Sequence, residues 1–175
     1  MAETMKQIID AEAMKRMITR LSYEIIEKNK GLEDVVLLGI RSRGSDIALR
    51  IAKRLEELED TKVPVASIDI TAYRDDKKED TTYSNQEAVH FSITDKKVIL
   101  VDDVLYTGRT IRAALDAVID LGRPQSISLV ALVDRGHREL PIRADHVGKN
   151  IPTAKSEEIV VLLEETDGKD GIYLK

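Results

Sequence analysis

Apolar residues in this chain recur with two periods, and the switches between them set out the order of its elements. From Asp10 to Lys30, Met14, Met17, Ile18, Leu21, Ile25 and Ile26 share one face at helical spacing. Asp10 suits the N-cap of that helix, and Gly31 suits its stop. "VVLLGI", from Val35 to Ile40, is an unbroken apolar run of strand length, as expected for a strand buried on both faces. Past "RSRG", a second helix carries Ile47, Ala48, Ile51, Ala52, Leu55 and Leu58 along one face. "VPVASIDITAY" then alternates in part like a strand.

Between Arg74 and His90 large apolar residues almost vanish, which predicts a mobile loop. Val89, Phe91 and Ile93 alternate, so the chain is expected to return along an edge strand. "VILV" (Val98 to Val101) is the next strand. A helix from Ile111 to Leu121 follows, stopped by Gly122 with Pro124 beyond. "ISLVALV" (Ile127 to Val133) is another buried strand, an irregular hood spans about residues 134–155, and "EIVVLLEE" supplies a last strand. Strands alternating with helices predict one α/β domain over residues 1–175, a mostly parallel twisted sheet with helices on both faces.

Composition narrows the chemistry. The chain has no cysteine, which excludes disulfides, thiolate metal sites and a cysteine nucleophile. One phenylalanine and no tryptophan leave an aliphatic core. A net charge of −5 provides no global field for nucleic acid, so an RNA contact needs a local basic patch. The first residues lack the basic and apolar regions of a signal peptide, and no apolar run approaches the roughly 18 residues of a membrane span. A cytoplasmic protein without membrane contact is expected.

In a parallel sheet, ligands bind beyond the carboxyl ends of the strands. Two loops stand there, "GIRSRG" and "DDVLYTGRT", and neither is a P-loop or a dinucleotide fingerprint. The second nevertheless has the parts of a phosphate cradle. Gly108 allows a tight turn, Thr107 and Thr110 offer hydroxyls, and the following helix begins with unpaired amides. Asp102 and Asp103 repel that phosphate, but they can accept hydrogen bonds from hydroxyls or hold the waters of a magnesium ion. A phosphate beside a diol is a ribose 5-phosphate. Taken singly, these residues are ordinary turn and cap residues. Their order, strand–Asp–Asp–loop–Thr–Gly–Arg–Thr–helix, points to binding.

"VILVDDVLYTGRT" resembles the phosphoribosyl-pyrophosphate (PRPP) signature of the type I phosphoribosyltransferases. "DITAYRDD" and "LVDRGHRELPIRADHVGKNIPT" extend the resemblance to one branch, the bacterial pyrimidine-operon attenuation regulators that are also uracil phosphoribosyltransferases. The resemblance implies the type I fold with a small hood and a flexible loop. It implies conversion of uracil and PRPP to UMP and pyrophosphate, with Mg2+ bound beside PRPP. It also implies a homo-oligomer that binds the pyrimidine-operon leader mRNA in response to UMP or UTP.

By the same resemblance, Asp102 and Asp103 hold the ribose hydroxyls and, through waters, the metal. Val104, Leu105, Tyr106, Thr107, Gly108, Arg109 and Thr110 form the nucleotide loop. Ile40, Arg41, Ser42, Arg43 and Gly44 form the pyrophosphate loop, with both arginines near the leaving group. Arg135, at a strand end, faces the base. The Arg74–His90 loop is either a lid that excludes water or an ordinary turn. The 6-oxopurine transferases usually carry an aspartate where Tyr106 stands, which argues against hypoxanthine or guanine. A purine transferase without an RNA role, and an RNA-binding regulator with a vestigial transferase site, are the two other readings.

For RNA, the local balance matters. Between Arg135 and Lys149 four Lys/Arg face two Asp/Glu. Arg16 and Arg20 lie one turn apart on the polar face of the first helix, with Thr19 and Tyr23 alongside. With Glu24 and Glu27 nearby, charge alone describes a solvated face. The family resemblance makes Arg16, Thr19, Arg20, Tyr23, Arg138, Arg143 and Lys149 an RNA surface, in which arginines contact the RNA and Tyr23 stacks.

Overall fold

The computed structural model describes residues 4–75 and 85–175. The chain runs β1 (Lys6–Ile9), α1 (Ala11–Asn29), β2 (Val35–Ile40), α2 (Arg43–Glu59), β3 (Val65–Ile68) and a 3-10 turn at Thr71–Tyr73. It continues with β4 (Lys97–Leu105), α3 (Arg109–Leu121), β5 (Ser126–Asp134), β6 (His146–Asn150), β7 (Ile159–Leu162), α4 (Glu164–Asp167) and β8 (Gly171–Leu174). The apolar runs form the parallel strands of one sheet, ordered β3-β2-β4-β5-β6, with β4 at its centre.

Both faces of this sheet are covered, as an all-parallel sheet requires. Met14, Leu21 and Ile25 of α1 and Ile47, Ile51 and Leu55 of α2 are buried on one face. Ile111, Ala114, Ala117 and Val118 of α3 are buried on the other. Each buried Leu or Ile contributes roughly 1.5–3 kcal/mol, so these helices are held by their apolar faces rather than by propensity. The Asp10 carboxylate caps α1 by accepting from the Ala13 amide at 2.8 Å. At the other end Lys30 takes the left-handed conformation, φ 54°, and Gly31 follows at φ 113°.

A second, antiparallel sheet joins the two ends of the chain in the order β1-β8-β7. Ile9, Ile159, Val161 and Ile172 from it enter the apolar cluster formed by α1 and α2, so the two sheets share one core. A charged clasp reinforces the junction. Arg50 of α2 grips Asp170 through two nitrogens, at 2.7 and 3.0 Å, and Glu165 through Nε at 2.9 Å.

Three sequence expectations change. The segment Val89–Ile93 buries Val89 and Ile93 but forms no strand. The Asn85 side chain already bonds the N–H and C=O of Asp69, just past β3, at 2.8 and 3.0 Å, which satisfies groups a returning strand would use. Residues 146–150 of the expected irregular hood form β6, the sheet edge, and the hood's sheet comes instead from β1, β7 and β8. "EIVVLLEE" is therefore not the last strand, because β8 follows it. The loop expected over Arg74–His90 lies largely outside the described residues.

Candidate active site

The carboxyl ends of β2 and β4 bring the two suspected loops together. β4 runs on through the aspartates to Leu105, so Asp102 and Asp103 are strand residues. Asp102 is buried, and one of its oxygens accepts the Asp103 amide at 2.9 Å. Asp103, half-buried, accepts the Val104 amide at 2.8 Å. Burial above all, then the neighbouring Asp103 charge and its hydrogen bond, hold the Asp102 carboxyl well above the usual carboxylate range. Hydroxyl donors or a cation at this edge would relieve that repulsion.

The loop after β4 is shaped around Gly108, whose φ of +94° is left-handed backbone that favours glycine. The Arg109 amide donates to Thr107 Oγ1 at 3.2 Å, and α3 starts with no acidic residue in its first turn. An uncompensated helix start beside two threonines favours an anion. A cavity of about 200 Å³ opens here, lined by Arg74, Asp75, Thr107, Arg109 and Thr110. Arg109 is clamped at its wall by Asp75 at 2.6 Å and Glu139 at 2.9 Å.

The turn after β2 leaves Ile40 buried while Arg41 and Ser42 are exposed, and the Arg41–Ser42 peptide is cis. Arg41 lies 3.9 Å from Asp69. Arg43 and Gly44 open α2. The Arg43 fork is held by Asp167 of α4, Nη2 at 2.8 Å and Nε at 3.3 Å, and Asp103 adds a weaker attraction. Arg41 and Arg43 thus leave the same turn toward different carboxylates.

Over the loop, Arg135 is buried, and its guanidinium stacks 4.0 Å from the centre of the Tyr106 ring. Its Nε donates to Thr153 Oγ1 at 3.1 Å and its Nη2 to Glu157 O at 2.7 Å. These bonds fasten the hood to the loop. Tyr106 serves as the platform, with His137 edge-on at 6.2 Å.

Residues 4–165 match the phosphoribosyl transferase domain. The chain belongs to the phosphoribosyltransferase family. It is 64% identical to the bifunctional protein PyrR of Enterococcus faecalis over 170 residues, which is 97% of this chain and 96% of that one. It is 62% identical to the bifunctional protein PyrR of Ligilactobacillus salivarius over 174 residues, covering 97% and 98% of the two chains. These identities place it in the PyrR branch of the family. Its fold is shared with a hypoxanthine-guanine phosphoribosyltransferase of Bacillus anthracis, at a TM-score of 0.75, 20% identity and 98% of both chains.

On the opposite side from α3, Arg16, Arg20 and Tyr23 are exposed on α1. Arg20 donates to Glu24 at 2.5 Å and reaches Val147 O and Gly148 O of β6, so α1 and the edge strand form one surface. Lys149 is exposed on that strand. Arg143 is exposed two residues before Asp145, which pairs with Lys28 of α1 at 3.0 Å. Arg138 is placed elsewhere. Its nitrogens bond Tyr106 O, Ile142 O and Asp134, each at 2.7 Å, beneath the Gly108 loop. Thr19 donates to Lys15 O and accepts from Arg54, both at 3.1 Å, so its hydroxyl is engaged within the protein.

Asp75, Glu139, Arg54 and Asp167 are additions that the sequence pattern does not single out. Asp75 lies in the quoted "DITAYRDD", so that stretch carries a signal. Asp167 stands 124 residues from its arginine, and nothing local announces it.

Proposed function

We propose that this chain's two activities use two surfaces, uracil transfer at the carboxyl ends of β2 and β4, and leader-mRNA binding on the face of α1 and β6. It is a pyrimidine-operon regulator that is also a uracil phosphoribosyltransferase. The observation that carries the transfer site is the meeting of a left-handed Gly108 loop, the Asp102–Asp103 pair and the Arg41 turn at one sheet edge.

In this reading, Thr107, Thr110 and the amides of the loop hold the 5-phosphate of PRPP. Asp102 and Asp103 accept the ribose hydroxyls. Arg41 attracts the pyrophosphate, and Arg43 exchanges its hold on Asp167 for the same group. The C1–O bond to pyrophosphate breaks as the C1–N bond to uracil forms. Positive charge then develops on the sugar beside the Asp pair, and negative charge on the leaving group beside the arginines. No covalent intermediate with the protein is needed. Arg135 acts on the base indirectly, by setting the hood over Tyr106.

Among the described residues no cluster of three or more His, Cys, Asp or Glu could hold a metal unaided. The adjacent Asp pair instead fits Mg2+ that brings its own water and phosphate ligands, held by Asp102 and Asp103 through waters. Bound there, Mg2+ supplies charge neutralisation for the departing pyrophosphate.

For RNA, Arg16, Arg20, Tyr23, Arg143 and Lys149 make the contact, with UMP or UTP in the PRPP pocket as the signal. Arg138 links the two surfaces. It ties Tyr106 O to Asp134, and Asp134 is the strand partner of Asn150, next to Lys149. No described helix is long and apolar enough to cross a membrane.

Turnover of PRPP with uracil, hypoxanthine, guanine and adenine tests the base. Uracil is expected to be the preferred acceptor. Equal or better use of a purine would overturn the assignment.

A further inference from the structure

The groove between α1 and α2 carries cations that neither the transfer site nor the α1–β6 face accounts for. Two adjoining hollows line it, of about 350 and 640 Å³, and they share Glu12, Lys15, Thr19 and Arg54. The first extends to Lys53, and the second to Arg16, Arg20 and Tyr23. In a chain of net charge −5, such a run of positive groups on one groove is a local reversal of sign.

Not every cation there is available. Arg50 is held by Asp170 and Glu165. Lys15, Arg16 and Lys53 are exposed and make no ion pair among the described residues. Arg54 is held in a defined pose. Its Nε donates to Thr19 Oγ1 at 3.1 Å and its Nη1 to Glu57 at 2.7 Å, while Nη2 makes no hydrogen bond among the described residues. Thr19 passes its own proton to Lys15 O, so it can only accept from Arg54. A threonine expected to touch RNA is thus a bracket that orients an arginine of the neighbouring helix.

We propose that α2 supplies the second wall of the RNA surface: Lys53 and the free Nη2 of Arg54 bind backbone phosphates of an RNA strand lying in the α1–α2 groove. This rests on the RNA-binding reading above and extends it from α1 and β6 to α2. Charge complementarity and the exposed aromatic at the groove's end select a nucleic-acid strand. Tyr23, with 56% of its surface exposed, gives a base a face to stack on while the cations follow the phosphates. Glu12 and Glu57 keep the groove from being uniformly positive and disfavour a strand lying directly over them.

The test is leader mRNA of the pyrimidine operon, titrated in UMP at several salt concentrations against the full chain and its Arg54→Gln, Lys53→Gln, Thr19→Val and Arg20→Gln variants. Arg54→Gln and Lys53→Gln are expected to weaken binding about three- to tenfold and to lower the salt slope by about 0.7 for each phosphate no longer neutralised. Thr19→Val should weaken binding less, and Arg54→Lys should restore most of the salt slope. Uracil transfer and melting temperature serve as fold controls and should stay at the parent's values. Weak binding by Arg20→Gln with parental affinity and slope in both α2 variants would overturn this inference and leave the RNA reading intact. Failure of the parent chain to bind the RNA would sink that reading itself.

Discussion

Gly44 stands against the backbone of Asp102: a Cβ at position 44 would lie 3.2 Å from Asp102 Cα and 2.5 Å from Val101 O. The turn carrying Arg41 and Arg43 is therefore seated directly on the strand carrying the aspartates. Gly44→Ala must push a backbone oxygen aside, which costs roughly 1–3 kcal/mol. The shift also moves the two loops apart. PRPP use should fall about tenfold or more, as KM rises more than the melting temperature drops. Unchanged KM with lowered stability would show that the spacing is merely structural.

Asp102 should trade stability against activity. Its raised pKa means that unfolding releases a proton between the ordinary carboxylate range and the folded value, so stability falls as pH rises through that window. Asp102→Asn removes the penalty. Melting curves at pH 4 and pH 8 are expected to show a gain that is larger at pH 8, while uracil transfer falls about a hundredfold or more. A variant less stable than the parent at pH 8 would contradict the pKa direction.

The two arginines of the pyrophosphate turn should behave differently. Arg41 is exposed and its contact with Asp69 is long, so Arg41→Ala should change stability by no more than about 0.5 kcal/mol while weakening PRPP use. Arg43→Ala also strands Asp167, whose pKa is lowered by that pair, and should cost stability as well. Neither should affect RNA affinity in UMP. Loss of RNA binding with intact transfer would misplace the turn.

Arg50 holds the terminal sheet to α2. Its forked bonds keep the pKa values of Glu165 and Asp170 below the usual range, so their contribution is present at neutral pH and lost as pH falls through the folded values. Arg50→Met should cost about 2–3 kcal/mol at pH 7 and much less near pH 3. Denaturant midpoints at the two pH values measure this. Equal losses at both would mean that the side chain acts through packing alone.

Much of the fold and of the candidate transfer site is legible in the sequence because the informative residues are contiguous. Val35–Ile40 is apolar throughout, and the structure buries all of it in a central position. Asp102 to Thr110 lie within one strand–loop–helix unit, so their order alone implies their geometry. β6 is hidden because "HVGKN" shows almost no apolar pattern: at a sheet edge, one side of the strand needs little burial. β1 and β8 are hidden because Lys6 pairs with Leu174, a relation no local window contains. Charge groups Arg138 with the exposed arginines of α1, but three acceptors, on Tyr106, Asp134 and Ile142, hold it under the Gly108 loop. Long-range partners, not residue type, decide such cases.

The most direct measurement of the whole account is the affinity of this chain for its operon's leader mRNA without ligand, with UMP and with PRPP. The Gly108 loop and the α1–β6 face are joined through Tyr106, Arg138 and Asp134, the path along which occupancy of the first is expected to change the second. UMP should tighten RNA binding by about fivefold or more, and PRPP, competing for the same pocket, should oppose it. Asp103→Asn should abolish both responses while basal RNA affinity persists. The same RNA affinity in all three conditions would contradict the account.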